Sequence, residues 1–376
     1  MDFTLTVEQE MLRDSARQFI ASELSFDSRR RALAAAQQGD AWARFAELGW
    51  LAMPVPEEAD GLGSTTADLV LMCEEMGRGL CVEPFVACAV LPAGLLAADD
   101  HADVRNVLAD LATGQHRVAV AAYEAGRRYD VQRPQTTAVR HPDGSFRLDG
   151  AKILVNGGAE ANALVVLAKC EQHEGGAPEL ALFLVAADAQ GVTRRRYRGL
   201  DAIEMADVRF DGVTLAAGAV LASGQSALDA VDRAFDEAAV CQCADTVGAV
   251  SRALELTVEY LHVRRQFGRA LSEFQALQHA VAEIFIEVSD AKSMLYQAVA
   301  ALAGPARTRR KAVSGCMVKV MSAAKEVAGM AVHLHGGIGM TDEYPVGHYL
   351  RRVMVSERFY GDHEHHLQRY LSALDA

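Results

Sequence analysis

Apolar residues recur at helical spacing through the opening part of the chain. Leu12, Ala16, Phe19, Ile20 and Leu24 form one stripe, preceded by Thr6 and Gln9 in capping-box register. The spacing predicts a second helix over residues 42–48, stopped by Gly49. A loop follows in "VPEEADGLG", where Pro56, Gly61 and Gly63 act as breakers. Helical periodicity resumes in "TADLVLMCEEMGRGL" and continues to about Leu111. Beyond it the period shortens to that of a strand. "HPDGSFRLDG" sets the turn residues Pro142, Asp143 and Gly144 before alternating Phe146 and Leu148, which predicts a hairpin. "ALVVLAK" and "LALFLVA" read as strands flanking a polar loop that holds Gly175 and Gly176, and "DVRFDGVTL" alternates Val208, Phe210 and Val213. From Ala227 long helical stretches return, joined by short glycine-containing connections, as in an up-down bundle. The pattern predicts an α+β multidomain chain. An N-terminal helical domain spans 1–112, a middle antiparallel β-domain (a small barrel or sandwich) spans 113–223, and a C-terminal four-helix-bundle-like domain spans 224–376.

The 376 residues suffice for two or three structural domains with a large core. A formal charge of −13 argues against a nucleic-acid partner, because binding phosphates needs a basic field. The basic runs at 29–31, 194–196 and 307–311 read as solvated faces. Seven cysteines, an odd number without C-x-x-C spacing, point to reduced thiols in a cytoplasmic protein. No apolar run reaches membrane-spanning length, and Asp2 and Glu8 interrupt any secretory leader, so no membrane association is expected.

Three short stretches carry the candidate chemistry. In "LHVRRQFGRALSEF", residues 263–268 interrupt two amphipathic helices. Arg264 offers a planar donor fork suited to a pyrophosphate, Gln266 adds neutral donors, and Phe267 gives an apolar plane. Gly268 permits a turn or a close backbone approach. The same residues also suit a helix–helix corner with a solvated arginine. In "HLHGGIGM", Gly336, Gly337 and Gly339 end a long helix where exposed amides can meet a ligand, although glycine caps helices routinely. The run lacks both G-x-G-x-x-G spacing and a preceding strand, which argues against a Rossmann site. In "RFYGDHEHH", His363 and His366 share a helix face, with Asp362 one turn from His366. Nothing else converges on them along the sequence, so no metal is expected there.

Taken together, "RRQFG", "FQALQHAVAE" and "HGGIGMTDEYPV" resemble the acyl-CoA dehydrogenases. The resemblance covers nearly the whole chain, through "MDFTLTVEQEMLRDSARQF" and "FAELGWLAMPVPEEADGLG" near the start and "VRFDGVTL" late in the β-region. It implies an FAD flavoprotein of lipid metabolism, built as a dimer of dimers. Such an enzyme dehydrogenates an acyl-CoA thioester between its α and β carbons and passes electrons to an acceptor protein. The resemblance further implies that Arg264, Gln266 and Phe267 contact FAD held by a neighbouring subunit. Gly336, Gly337 and His333 would approach its adenosine-pyrophosphate portion, and Gln275 or Gln278 would line the same groove.

The departures from the family pattern concern the chain's own flavin and base. The glutamate of Y-E-G-T is replaced by Tyr360 in "FYGD". A phenol with a pKa of about 10 is ionised to about 0.1% at pH 7, far short of a carboxylate. The other family position for the base falls on Ala238, with Ala239 where arginine is usual. Glu237 and Asp362 remain as candidate bases. "YEAGRRYD" sets Arg127 and Arg128 at positions that are small in T-E-x-x-G-S-D. W-I-T reads Leu154, Val155 and Asn156, of which Asn156 keeps a hydrogen-bonding group for flavin. Three readings follow: a base-lacking subunit complemented by a related dehydrogenase subunit, a homo-oligomeric flavoenzyme with a non-standard base, or a catalytically silent FAD- or CoA-binding interaction protein.

Overall fold

The computed structural model describes residues 4–34, 41–98, 101–171 and 177–375, so Asp2, Gly175 and Gly176 lie outside the described residues. Helices α1 (Val7–Glu23), α2 (Phe26–Ala34), α3 (Ala41–Glu47), α4 (Thr66–Arg78), α5 (Leu91–Leu96) and α6 (Ala102–Ala112) come first. Strands β1 (Val118–Ala121), β2 (Thr137–Arg140), β3 (Phe146–Asn156) and β4 (Ala163–Glu171) follow. Next are β5 (Glu179–Ala186), β6 (Val192–Arg198), β7 (Glu204–Leu215) and β8 (Val220–Ser223). The long α7 (Gly224–Val263) leads into a small hairpin, β9 (Arg265–Gln266) and β10 (Arg269–Ala270). Then come α8 (Gln275–Ala301), α9 (Ala306–His335), α10 (Val346–Ser356) and α11 (His363–Asp375). Among the described residues no helix is long and apolar enough to cross a membrane.

The chain divides into two compact units. The β-rich unit comprises residues 40–65 and 83–238. Its strands form one sheet in the order β6-β7-β3-β2-β4-β5-β8. β1 and β2 lie end to end along one edge of β4, and both run parallel to it: Val118 pairs with Ala163, and Thr137 with Lys169. The other described pairings of this sheet are antiparallel, so the sheet is mixed where the alternation led to an antiparallel expectation. Alternation specifies which face a side chain takes and says nothing of the neighbour's direction. The β2–β3 hairpin turns as its sequence predicts: Asp143 Oδ1 accepts the Ser145 N–H at 3.0 Å and its hydroxyl at 2.7 Å, with Gly144 at φ +87°. β4 and β5 are buried along most of their length, which is why they read as continuous apolar runs.

The helical unit comprises residues 1–39, 66–82 and 239–376. The capping box at the start of α1 is present, with Gln9 N–H on Thr6 Oγ1 and Thr6 N–H on Gln9 Oε1, both at 3.2 Å. α9 packs against α8, α10 and α11. Ile284, Val288, Val327 and Val353 share a buried core with Val250 and Leu254 of α7. α4 crosses α7 at backbone contact: a β-carbon at Gly77 would stand 1.8 Å from the Asp245 carbonyl oxygen, and one at Gly248 would stand 1.9 Å from that of Glu74. Beside this crossing Arg352 holds Asp245 in a two-point grip, Nε to Oδ1 at 2.9 Å and Nη2 to Oδ2 at 2.8 Å, and also reaches the Cys81 carbonyl at 2.7 Å. Both side chains are buried, so neither charge has water as an alternative partner.

Asp245→Ala strands the buried Arg352 cation. The expected cost is about 3–5 kcal/mol, read from the urea midpoint of the full chain. A loss below about 1 kcal/mol would contradict the fastening role assigned to this pair.

Candidate functional site

At the end of α7 the backbone closes its own corner. Arg264 N–H donates to the Tyr260 carbonyl at 2.8 Å, and Leu271 N–H returns to the Arg264 carbonyl at 2.9 Å. The side chains of Arg264, Gln266 and Phe267 are left exposed. Phe267 is 90% exposed and held at φ +54°, with Phe274 as an edge-on ring neighbour at 6.2 Å. An unburied aromatic in left-handed backbone gains little from its own chain, and such outliers concentrate at binding positions. Gln275 and Gln278 are exposed on the first turn of α8, Gln278 bonded to the Ser272 carbonyl at 2.8 Å.

Gly336 ends α9 at φ +64° and ψ −140°, a conformation kept for glycine. No atom lies within 4 Å of a β-carbon built on Gly336 or Gly337, so packing does not demand glycine there; open backbone is what the pair provides. His333 is exposed on the last turn. Its neighbour His335, passed over by the sequence reading, is buried and stacks on Tyr260 with centroids 4.4 Å apart. Tyr344 lies 5.0 Å from the same imidazole, whose Nδ1–H donates to the Ala331 carbonyl at 2.7 Å. Because Tyr260 stands one turn before Arg264, this stack brings the arginine and glycine stretches to the same end of the helical unit. The available signal was the position of Tyr260 on the helix face beneath Arg264.

The "FYGD" segment, where the resemblance places the family's base, is a tight turn. Tyr360, at φ +61°, and Gly361, at φ +126°, reverse the chain before α11. A β-carbon at Gly361 would stand 2.5 Å from His366 Nε2. His366, buried, donates from Nε2 to the Tyr360 carbonyl at 3.1 Å, and its Nδ1 faces the Ser314 hydroxyl at 3.4 Å. Burial, with His365 and Arg369 adding to it, pushes the His366 pKa down to about 3. Asp362 Oδ1 accepts the His365 N–H at 3.0 Å, so its carboxylate caps α11. His363 is exposed and faces Ser322, whereas the His365 and His366 rings meet edge-on with centroids 5.1 Å apart. Among the described residues no three or more His, Cys, Asp or Glu side chains gather as a metal site would need.

In the β-rich unit, Lys152 is wholly buried and donates to Glu124 Oε1 at 2.8 Å and to the Ala122 carbonyl at 3.3 Å. Burial pushes this ammonium down to about 8, against the pull of Glu124. Glu124 also accepts the Gln135 and Thr136 N–H groups, at 2.5 and 2.9 Å, and the Thr136 hydroxyl at 2.7 Å. Two residues beyond Lys152 the β3–β7 register shifts, with Leu154 at φ +55° and its side chain 42% exposed. Leu154 N–H is shared between Tyr197 Oη at 3.2 Å and Asp207 Oδ1 at 3.3 Å, and the Tyr197 hydroxyl donates to Asp207 at 3.0 Å. Asn156 Oδ1 is buried without a donor, and Arg127 Nε is buried without an acceptor. Glu237 is half-buried on α7, beside fully buried Ala238 and Ala239.

These surroundings bear on an FAD cofactor in two ways. The exposed set on the helical unit, with a free guanidinium face, an aromatic ring and bare backbone, fits an extended anionic ligand arriving from outside the chain. On the sheet, where the resemblance sets Arg127, Arg128 and Leu154 at positions facing a flavin ring, Asn156 Oδ1 and Arg127 Nε are buried with unmet hydrogen bonds.

Models of the acyl-CoA dehydrogenase N-terminal, middle and C-terminal domains match residues 6–115, 119–213 and 228–374. The chain is 26% identical to acryloyl-CoA reductase (NADH) of Anaerotignum propionicum over 373 residues, covering 97% of this chain and 94% of that one. A variant of the Tcur3481–Tcur3483 steroid ACAD is similar in structure, with a TM-score of 0.85, 29% identity and 98% of each chain covered. The ChsE4–ChsE5 complex from Mycobacterium tuberculosis is similar with a TM-score of 0.88 and 25% identity, over 100% of this chain and 99% of that one.

His366 titrates at about 3 when folded against 6.5 in its ordinary state, so the unfolded chain takes up the proton first as pH falls. Its contribution to stability is complete above pH about 6.5 and declines below it, by up to about 1.4 kcal/mol per pH unit. His366→Gln should flatten the loss of stability between pH about 6.5 and 5, measured by urea midpoints at several pH values. Parallel profiles for the two proteins would contradict this assignment.

Proposed function

Because the chain belongs to the acyl-CoA dehydrogenase family, we propose that it is the base-lacking subunit of a heteromeric, FAD-dependent enzyme. Its substrate would be an acyl-CoA thioester, oxidised between the α and β carbons, and a related subunit would supply the carboxylate that takes the α proton. Members of the family are FAD enzymes, and bound FAD supplies the hydride acceptor. Arg264 would hold the diphosphate of FAD seated on the partner's sheet, through charge-assisted hydrogen bonds. Phe267 would cover it with an apolar plane, and the Gly336–Gly337 backbone would admit its adenosine end. Gln266, Gln275, Gln278 and His333 would be polar neighbours in the same groove. Electrons would leave to an acceptor protein.

One observation carries this reading: Tyr360 occupies the usual base position, and the carboxylate nearest to it in sequence, Asp362, is engaged in capping α11. Support comes from two similar structures that are paired systems, Tcur3481–Tcur3483 and ChsE4–ChsE5. Asn156, with its unmet carbonyl, would be the remnant of a platform on this chain's own sheet.

Purified from its native host by a tag, the full chain should bring down a sequence-related chain in equal amount, with one FAD per unlike pair. Arg264→Ala in that assembly should weaken FAD retention by at least about tenfold, as expected for losing a hydrogen bond to a charged group. Tyr360→Phe should leave turnover within about twofold, since the phenol is not the base. A chain that purifies alone with one FAD per copy would overturn the heteromer and return attention to Glu237.

A further inference from the structure

We infer that the helical unit carries a second binding site, for a small monocarboxylate with an apolar body, in a cleft between α1, α4 and α8. The site uses none of the residues assigned to flavin. The cleft encloses about 950 Å³, near the upper end of the volumes that hold small ligands. Part of its wall is apolar, formed by Leu5, Val70, Leu71, Val299 and Ala300.

Most of the rest of the wall is charged, with four cations against three carboxylates. The lining cations are Arg13, Arg17, Arg78 and Lys292, against the carboxylates Glu74, Glu75 and Glu255. Arg17 grips Glu75 at 2.6 and 3.2 Å, Arg78 grips Glu255 at 2.9 and 2.8 Å, and Lys292 reaches Glu74 at 3.2 Å. Arg13 is left over. Its ion pair among the described residues is with its chain neighbour Asp14, at 3.6 Å, and that carboxylate is 67% exposed. Arg13 Nε is buried, 3.6 Å from Asp14 Oδ1 and beyond hydrogen-bond length, so the outer nitrogens of the fork are the ones a ligand in the cleft would meet. A carboxylate is the acceptor whose geometry matches that edge of a guanidinium. Tyr296 lines the same cleft and lies near enough to Arg13, Lys292 and Glu74 to feel the charge of each.

The same arrangement limits what can bind. A dianion would meet one unmatched cation and three carboxylates, and a cationic ligand would find every carboxylate already held. A monocarboxylate with an apolar tail satisfies both parts of the wall.

Calorimetric titration of the full-length chain with octanoate tests the inference. Octyltrimethylammonium serves as the probe of equal tail and opposite charge. Octanoate should bind at one site per chain, at least about tenfold more tightly than the ammonium. Arg13→Met, which keeps the apolar stem, should weaken octanoate binding by at least tenfold. Ala300→Trp, which fills the cleft without altering charge, should weaken it likewise, and thermal melts report whether each variant is folded. Absent binding, equal binding of the two probes, or octanoate affinity within twofold of wild type in both folded variants would each overturn the site.

Discussion

A lysine ammonium with no solvent around it, Lys152, is neutralised by one carboxylate, Glu124, and the β-rich unit is arranged around that pair. Removing either member leaves an unpaired charge in a low-dielectric interior, which a marginally stable fold tolerates badly. The pair also distributes structure. The lone pairs of Glu124 not used by Lys152 accept Gln135 and Thr136, which pins both sides of the loop that carries Arg127 and Arg128. Lys152 itself precedes the bulge that presents Leu154, and Tyr197 and Asp207 hold that bulge by its backbone N–H. The frame on which a flavin ring would rest is therefore kept rigid. What departs from the family pattern is the set of side chains projecting from it.

A parallel logic applies to the helical unit. The turn at Tyr360 is determined by contacts that have no need of substrate: a buried neutral His366 on its carbonyl and a glycine that tolerates no β-carbon. These contacts commit Asp362 to the helix end. At the other motifs the backbone satisfies itself, through Tyr260–Arg264 and Arg264–Leu271, and leaves the Arg264 and Phe267 side chains exposed. One end of the unit thus holds its carboxylate in a helix cap, and another presents exposed side chains and open glycine backbone.

Much of this was legible along the chain. The capping box at Thr6, the stop at Gly49, the hairpin at Asp143 and the long C-terminal helices each follow from neighbours a few residues apart. The candidate residues that the structure leaves exposed lie in two short contiguous stretches, so they too could be picked out from near neighbours. The parallel pairing of β1 and β2 with β4 was not, since strand alternation carries no direction. Glu124 and Lys152 lie 28 residues apart, and a lysine in a strand reads as solvent-facing until its partner is placed. His366 gave the opposite difficulty: in a polar run it reads as exposed, and it becomes buried because α11 packs on α9. The N-terminal helices read as one group, yet α1, α2 and α4 belong to the helical unit and α3, α5 and α6 to the β-rich one. Amphipathic spacing shows that a face is buried, not against what.

The central claim is that this chain supplies a flavin-binding surface and a partner supplies the base. Anaerobic stopped-flow mixing of the purified chain, reconstituted with FAD, with a panel of acyl-CoA thioesters tests it most directly. The account predicts little bleaching of flavin absorbance at neutral pH by the chain alone, and rapid bleaching once the related subunit is added. Rapid reduction of the isolated chain by any thioester would contradict it.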